Sequence, residues 1–403
     1  MNEASVLSAQ QPVARPRPAR GLRIALVTET YPPEINGVAM TTERMVAGLL
    51  QRGHVIQLVR PRQGSGDQPT ATSALTQLLV AGIAVPRYGD LRMGLPAVGR
   101  LTRCWRARRP DVVHVVTEGP LGWAALAAAR RLEVPAASDF HTNFHSYSSH
   151  YGFGFLRGMI GGYLRHFHNR SLCTFVPTRQ LRGELEREGY RNVRVVARGV
   201  DTRLFTPVRR SAELRGRWRL GPDGLAVICV GRVAPEKNLP LVLSAFATIR
   251  ERRPDARLVL VGDGPARARL ERRHPEHVFA GMRKGEDLAM HYASGDLFLF
   301  PSQTETFGNV TLEAMASGLG VVAYDYAAAR EHLVDGENGL LVPFGDARAF
   351  ERESLRLATD PALLSTLRRE ARLSAEGISW DHIVDTFSDA LAAIAHGGRA
   401  ARA

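Results

Sequence analysis

Lysine is almost missing from this sequence: 51 arginines stand against two lysines, Lys237 and Lys284. A bias that strong makes any single arginine a weak signal and each lysine an informative one. Cysteine is scarce as well. Cys104, Cys173 and Cys229 are scattered and odd in number, which excludes a disulfide framework and a zinc-ligand spacing and fits a reducing cytoplasm. No apolar run approaches the roughly 20 residues of a membrane span. The first 20 residues hold Arg15, Arg17, Arg20 and three prolines but no apolar h-region, so residues 1–20 are expected to be a disordered basic tail and not a signal peptide.

Several chemical signatures are also missing. There is no Gly-x-Ser-x-Gly and no complete Gly-x-Gly-x-x-Gly; Gly262-Asp-Gly264-Pro265 lacks the third glycine and reads as a turn, which leaves a nicotinamide dehydrogenase little support. No helix-turn-helix, zinc or RNA-recognition signature occurs. The basic residues are spread along the chain, so the net charge of +13 predicts a membrane surface or phosphorylated ligands before nucleic acid. No Asp-x-Asp is present, and no metal is expected to bridge a diphosphate.

What is present starts twice. At 403 residues and 44% apolar content the chain suits two domains. Leu22–Glu29 is a buried strand that runs through Asn36-Gly37 into a helix from about Val38 to Gln51. Leu225–Gly231 is a second such strand, running through Arg232–Asn238 into a helix from about Leu239 to Arg253. Strand and helix then alternate in both halves, through 55–59, 112–115 and 136–139 in the first and 257–261, 297–300 and 320–323 in the second. This predicts α/β architecture with two parallel, doubly wound sheets. The expected division is 21–205, a polar linker 206–222, a second domain 223–377, and a final stretch 378–403 whose helix is placed to cross back to the first domain. In such sheets ligands lie beyond the carboxyl ends of the strands, so two facing domains make a cleft.

The candidate residues all follow strands. Glu305 and Glu313 stand eight apart in Glu-Thr-Phe-Gly-Asn-Val-Thr-Leu-Glu, after the strand Leu297–Phe300. Carboxylates accept hydrogen bonds from sugar hydroxyls. The helix-start amides near Gly308 suit a phosphate. Arg232 and Lys237 place two cations at a strand end, as a diphosphate site requires. Gly37, beside Asn36, lets backbone approach a ligand closely. His141 follows the strand Ala136–Asp139 and is placed to bind a sugar hydroxyl or an acceptor. His145, one turn on, has no third ligand to complete a metal site. His166 and His168 are read as an exposed or interfacial pair. Two basic stretches, Leu91–Arg109 (Arg100, Arg103, Trp105, Arg106) and Phe153–Arg170 (Phe155, Tyr163), have the composition of helices lying in an anionic interface, or equally of core helices with a solvated basic face.

Together these residues resemble retaining glycosyltransferases of family 4, with the GT-B fold of two facing Rossmann-like domains, over roughly residues 22–395. The segments that carry it are Pro301–Gly318 with its Glu-x7-Glu, Gly231-Arg232 through Lys237-Asn238, Asn36-Gly37-Val38, and Gly336–Val342. The first-domain loop reads Asn-Gly where many members have Gly-Gly. The resemblance implies that Glu305 contacts the donor sugar and Glu313 the ribose, within a loop of Phe307, Gly308 and Asn309. It implies that Arg232 and Lys237 hold the diphosphate, that His141 lies beside the transferred sugar, and that backbone around Phe279–Arg283 receives the base. Thr28–Gly37 and Val115–Gly122 are similar to bacterial α-mannosyltransferases using GDP-mannose, and also to enzymes that glycosylate diacylglycerol from UDP-sugars. The implied partners are a nucleotide-sugar, a lipid or glycan acceptor and the inner membrane face, without cofactor, metal or nucleic acid. The competing classes are a nucleotide-sugar epimerase on the same fold and a non-enzymatic anionic-surface binding protein.

Overall fold

The protein is described by a computed structural model covering residues 21–34, 36–85, 88–141 and 157–400. The first sheet joins β1 (Arg23–Val27), β2 (Val55–Pro61), β3 (Leu75–Val80), β6 (Val112–Val115), β7 (Ala136–Asp139), β8 (Cys173–Val176) and β9 (Val193–Val195) in the order β3-β2-β1-β6-β7-β8-β9. A hairpin, β4 (Gly82–Val85) and β5 (Tyr88–Gly94), sits outside it. The second sheet joins β10 (Ala226–Val230), β11 (Arg257–Val261), β12 (Val278–Gly281), β13 (Leu297–Phe300), β14 (Gly320–Tyr324) and β15 (Leu340–Val342) in the order β12-β11-β10-β13-β14-β15. Every pair in both sheets is parallel. The strands are Val- and Leu-rich because helices cover both faces; all of Ala226–Val230 and Val112–Val115 is buried.

Counted along each sheet, both orders run 3-2-1-4-5-6, with one extra strand on the first. This is the GT-B arrangement of two Rossmann-like units. Each has a switch point where strand order reverses, between β1 and β6 and between β10 and β13, and that is where ligands settle. Glu29 and Asn36 follow β1, Glu118 follows β6, Arg232 and Lys237 follow β10, and Glu305 follows β13.

The stretch expected as a linker is not one. Pro207–Arg209 forms a 3-10 turn and Ala212–Arg217 a helix, and Leu214, Trp218 and Leu220 join the core of the second sheet. Asp296 fixes them: it pairs with Arg210 at 2.7 Å, Arg215 at 2.9 Å and Arg368 at 3.1 Å. Burial alone would raise this carboxyl, but the three guanidiniums and the Ala226 amide hold it below the usual carboxylate range. Arginines that read as solvated linker charge are therefore internal staples.

The chain crosses between the domains at two adjacent points. Val200 pairs with Ser379, and its amide donates to Ile378 O at 3.1 Å. Beyond that crossing the helix Trp380–Ala400 lies on the first domain, with Val384, Phe387 and Leu391 in its core. It packs on the helix Gly37–Gln51 at Gly48, where a Cβ would come within 2.6 Å of Val384 Cγ2.

The basic stretch Leu91–Arg109 differs from an interfacial helix. Its first residues belong to β5, and the helix spans Val98–Ala107. Leu101 and Trp105 are buried, and the Trp105 indole N–H donates to Gln57 Oε1 at 2.6 Å. Trp105 is thus a core anchor and has no face for lipid. Arg103 and Arg106 are exposed, and Arg100 donates to Leu79 O at 2.9 Å. In the second stretch Phe155 lies outside the described residues. Tyr163, on the helix Arg157–His168, is 43% exposed and donates its hydroxyl to Glu118 O; Met159, one turn earlier, is 72% exposed. His166 is exposed and stacks on Trp123. His168 is wholly buried against Ser138 at 2.9 Å and is no surface residue. Among the described residues no helix is long and apolar enough to cross a membrane.

Candidate functional site

The second-domain half of the site grows from the ends of β10 and β13. After β10 the chain turns through Gly231, at φ 150°, into the short turn Pro235–Lys237. The neighbouring strand end must come close. A Cβ on Gly262 would lie 1.9 Å from Gly231 O, so the glycine missing its motif partner serves backbone packing at this turn. Lys237 Nζ pairs with Glu305 Oε1 in a very short contact and lies 5.6 Å from the Phe300 ring. Ser302 Oγ donates to the same Glu305 oxygen at 2.8 Å, and Tyr326 OH donates to Glu305 O at 3.0 Å. Arg232 sits 3.6 Å from the buried Glu236 carboxylate. Lys237 is thereby held at the end of β10, next to the carboxylate that follows β13.

The helix Asn309–Ala316 follows Gly308, whose φ of 91° suits glycine, and no side chain caps its start. The amides of Asn309 and Val310 therefore begin the helix without a side-chain cap. Phe307, expected at the donor, is instead 1% exposed. Its ring belongs to the core and lies under Arg198 at 5.6 Å, so it anchors the loop from beneath. Glu313 accepts from Tyr292 OH at 2.9 Å. Burial pushes its carboxyl up to about 7, against the Tyr292 hydrogen bond. Phe279 is half-buried within β12. Arg283 follows that strand, bonded to Ala280 O at 2.9 Å and to Asp287 at 3.1 Å.

The first-domain half centres on His141. Its Nε2 lies 3.0 Å from Asp139 Oδ2, and its Nδ1 lies 3.0 Å from Arg198 Nη2. A guanidinium only donates, so Nδ1 accepts and the ring proton is on Nε2, facing Asp139. His114 Nε2 meets the same Asp139 oxygen at 3.1 Å. Burial would raise Asp139, but its contacts with His114 and His141 outweigh that and hold the carboxyl well below the usual range. Both ring nitrogens of His141 are thus engaged, and a sugar hydroxyl reaches Nδ1 by taking the place of Arg198. A cavity of about 30 Å³ beneath this group is lined by His114, Thr41, Thr42 and Phe387 among others, room enough for one water.

Asn36 serves its helix. Its Oδ1 accepts from the amides of Val38 at 3.1 Å and Ala39 at 2.8 Å, and its Nδ2 donates to Thr30. That is an N-cap, so its side chain is committed to the helix start and not to a donor. Gly37 faces the cleft; a Cβ there would lie 4.0 Å from Arg198 Nη1.

The two halves touch. Thr306 Oγ1 donates to His141 O at 2.7 Å, and Arg198 Nη1 lies 3.4 Å from Asn309 Oδ1. Arg198 is the residue that sequence reasoning missed. It follows β9 at the interdomain crossing, is 6% exposed, and burial pushes its guanidinium down to about 10. Its signal was the one used for Arg232, a cation directly after a strand, but one arginine among 51 does not stand out. Glu29 was missed too. It follows β1, and its Oε1 accepts from the Leu121 amide at 2.9 Å. Burial pushes its carboxyl up to about 7, with the neighbouring Glu118 adding to the shift.

Comparison with known proteins supplies the family context. Residues 35–204 match the profile described as Glycosyltransferase Family 4, and residues 224–360 that described as Glycosyl transferases group 1. The chain is similar to a GDP-mannose-dependent alpha-mannosyltransferase of Mycobacterium tuberculosis, 35% identical over 91% of this chain and 95% of that one. It is also similar to an alpha-monoglucosyldiacylglycerol synthase of Acholeplasma laidlawii, 25% identical over 88% of this chain and 92% of that one. Among solved structures, a sucrose-phosphate synthase from Thermosynechococcus elongatus superposes with a TM-score of 0.73 at 20% identity, covering 91% of this chain and 98% of that one. That last likeness speaks for the fold.

Proposed function

This chain belongs to glycosyltransferase family 4, and we propose that it moves a mannosyl group from GDP-mannose to a lipid or glycan acceptor at the inner membrane face. The carrying observation is that the two strand-end clusters meet. His141 on the first domain is bonded to Thr306 of the segment that holds Glu305, and Glu305 is bonded to Lys237. A nucleotide-sugar laid across that junction has its diphosphate by Arg232, Lys237 and the amides after Gly308, and its sugar between Glu305 and His141. Negative charge grows on the diphosphate as the sugar leaves. Cations and helix-start amides already aimed there stabilise that charge without reorganising. Glu313, with its Tyr292 partner, is assigned to the ribose, and the backbone of Phe279–Arg283 to the base.

Support for mannose and GDP is the mannosyltransferase relative, matched along nearly its whole length. The diacylglycerol enzyme from Acholeplasma supports a UDP-sugar and a lipid acceptor as the second reading. Membrane attachment rests on the exposed Arg103 and Arg106 and on Met159 and Tyr163, since Trp105 is core. The reaction is expected to retain the α configuration and to need no metal. The experiment incubates the protein, in EDTA, with GDP-mannose or UDP-glucose and a membrane lipid extract, and measures nucleoside diphosphate released. Release of GDP that depends on the extract supports the proposal. Release of UDP alone moves the assignment to the second reading, and release from neither donor overturns it.

A further inference from the structure

We propose that His274, Glu276 and His277 form a binding site for a divalent transition-metal ion of the zinc or nickel type, on the second domain away from the cleft. The proposal stands independently of the transfer reaction. The three residues fall in His-Pro-Glu-His, between the helix Arg267–Arg273 and β12. The connection is well fixed. The His274 amide donates to Leu270 O at 2.9 Å, the His277 amide donates to His274 O at 3.1 Å, and Pro275 restricts the turn between them. His277 is the least exposed member, its side chain 8% exposed and its ring edge-on to Phe246 with centroids 5.2 Å apart. His274 and Glu276 open to solvent at 34% and 42%.

The donor atoms are already gathered. Glu276 Oε1 lies 3.7 Å from His274 Nδ1 and 3.5 Å from His277 Nε2, and the three ligand atoms lie within 4.8 Å of one another. Ligand atoms about 2.0–2.2 Å from a tetrahedral zinc stand roughly 3.3–3.6 Å apart, close to the 3.7 and 3.5 Å that separate Glu276 Oε1 from the two imidazole nitrogens. The imidazoles now lie parallel, 7° apart with centroids at 5.7 Å, so binding turns the exposed His274 about χ2, a broad torsion. Two imidazoles with one carboxylate suit zinc, nickel and copper better than magnesium or calcium, which favour oxygen alone. Solvent completes the shell on the exposed side.

The surroundings bear on affinity and on role. Arg250, on the neighbouring helix Leu239–Arg252, lies close enough to act on His277 and opposes a dication; the Glu276 charge offsets it. His277 precedes the amino end of β12. Four strand residues at about 3.3 Å each put roughly 13 Å between the ion and the carboxyl end of that strand, where the base is assigned. The ion would clamp the turn leading into β12 and touch no reacting group.

The test uses the full chain without a polyhistidine tag, stripped with EDTA, exchanged into chelator-free buffer and titrated with nickel or zinc chloride in a calorimeter. One ion per chain is expected, with a dissociation constant in the micromolar range. His274→Ala and Glu276→Gln, both exposed and so compatible with folding, should each weaken binding at least about tenfold. At the same metal concentration the thermal midpoint should rise more in the wild type than in either variant, because an ion bound to the folded state alone stabilises it. Equal affinity in the variants, or no binding by the wild type at millimolar metal, overturns the site.

Discussion

The two sheets share one strand order, yet their switch points carry opposite chemistry. Where β10 and β13 diverge stand Arg232 and Lys237, each beside a carboxylate, Glu236 and Glu305. Where β1 and β6 diverge stand Glu29 and Glu118, and Glu29 is answered by the Leu121 amide. One half sets cations at its switch point and the other carboxylates. The shared topology explains why both halves present side chains to the cleft. The different residues after each strand explain why the domains are not interchangeable.

The largest expected effect lies on the cationic side. Lys237→Ala should lower turnover about 100-fold and Arg232→Ala at least about tenfold, since each removes charge from the leaving diphosphate. Because Lys237 and Glu305 act as a pair, combining Lys237→Ala with Glu305→Gln should cost less than the sum of the single effects. Steady-state rates on folded variants measure this, and unchanged turnover in both single cation variants breaks the comparison.

A smaller loss is expected from the first domain. Asp139→Asn leaves His141 in place but removes the carboxylate charge that accepts from its Nε2–H, and about tenfold should go from kcat. Thermal melting of the variant separates this positioning effect from unfolding. The exposed arginines of the helix Val98–Ala107 come next. Removing Arg103 and Arg106 should weaken binding to anionic vesicles by about 1 kcal/mol each at low salt, an effect that fades at high salt. Co-sedimentation that is unchanged in the double variant removes this helix from any membrane role.

A separate effect, on stability and not on turnover, is a pH slope. Glu313 is raised from 4.5 to about 7 by burial. Between those values the folded state therefore holds a proton that the unfolded state has lost. Its contribution to stability is full below about 4.5 and is lost as pH rises through about 7. Glu313→Gln removes that term. The wild type should therefore lose melting temperature relative to the variant between pH 5 and pH 8, and parallel pH profiles for the two proteins would show that Glu313 does not titrate in this window.

Much of the fold was legible because parallel strands buried on both faces read as short apolar runs between helices, as in Ala226–Val230. The edge strand Leu75–Val80 was not, since half-exposed Thr76 and Gln77 break the run. Glu305, Arg232 and Lys237 were legible because each follows a strong strand signal. Arg198 was not, because the three-residue strand before it gives almost none and arginine is everywhere. Trp105 shows a different limit. Leu101 and Trp105 at i and i+4 reveal a shared helix face, but spacing does not say whether that face meets lipid or protein. The arginines at 210 and 215 read as linker charge for the same reason, because their partner Asp296 is distant in sequence.

The most direct test is a GDP titration of wild type, Lys237→Ala and His141→Ala side by side. If the second domain holds the diphosphate and the first receives the sugar, Lys237→Ala should weaken GDP binding at least about tenfold. His141→Ala should bind GDP as the wild type does while losing transfer. Equal GDP affinity in wild type and Lys237→Ala, or an equal loss in both variants, would contradict the division between the two halves.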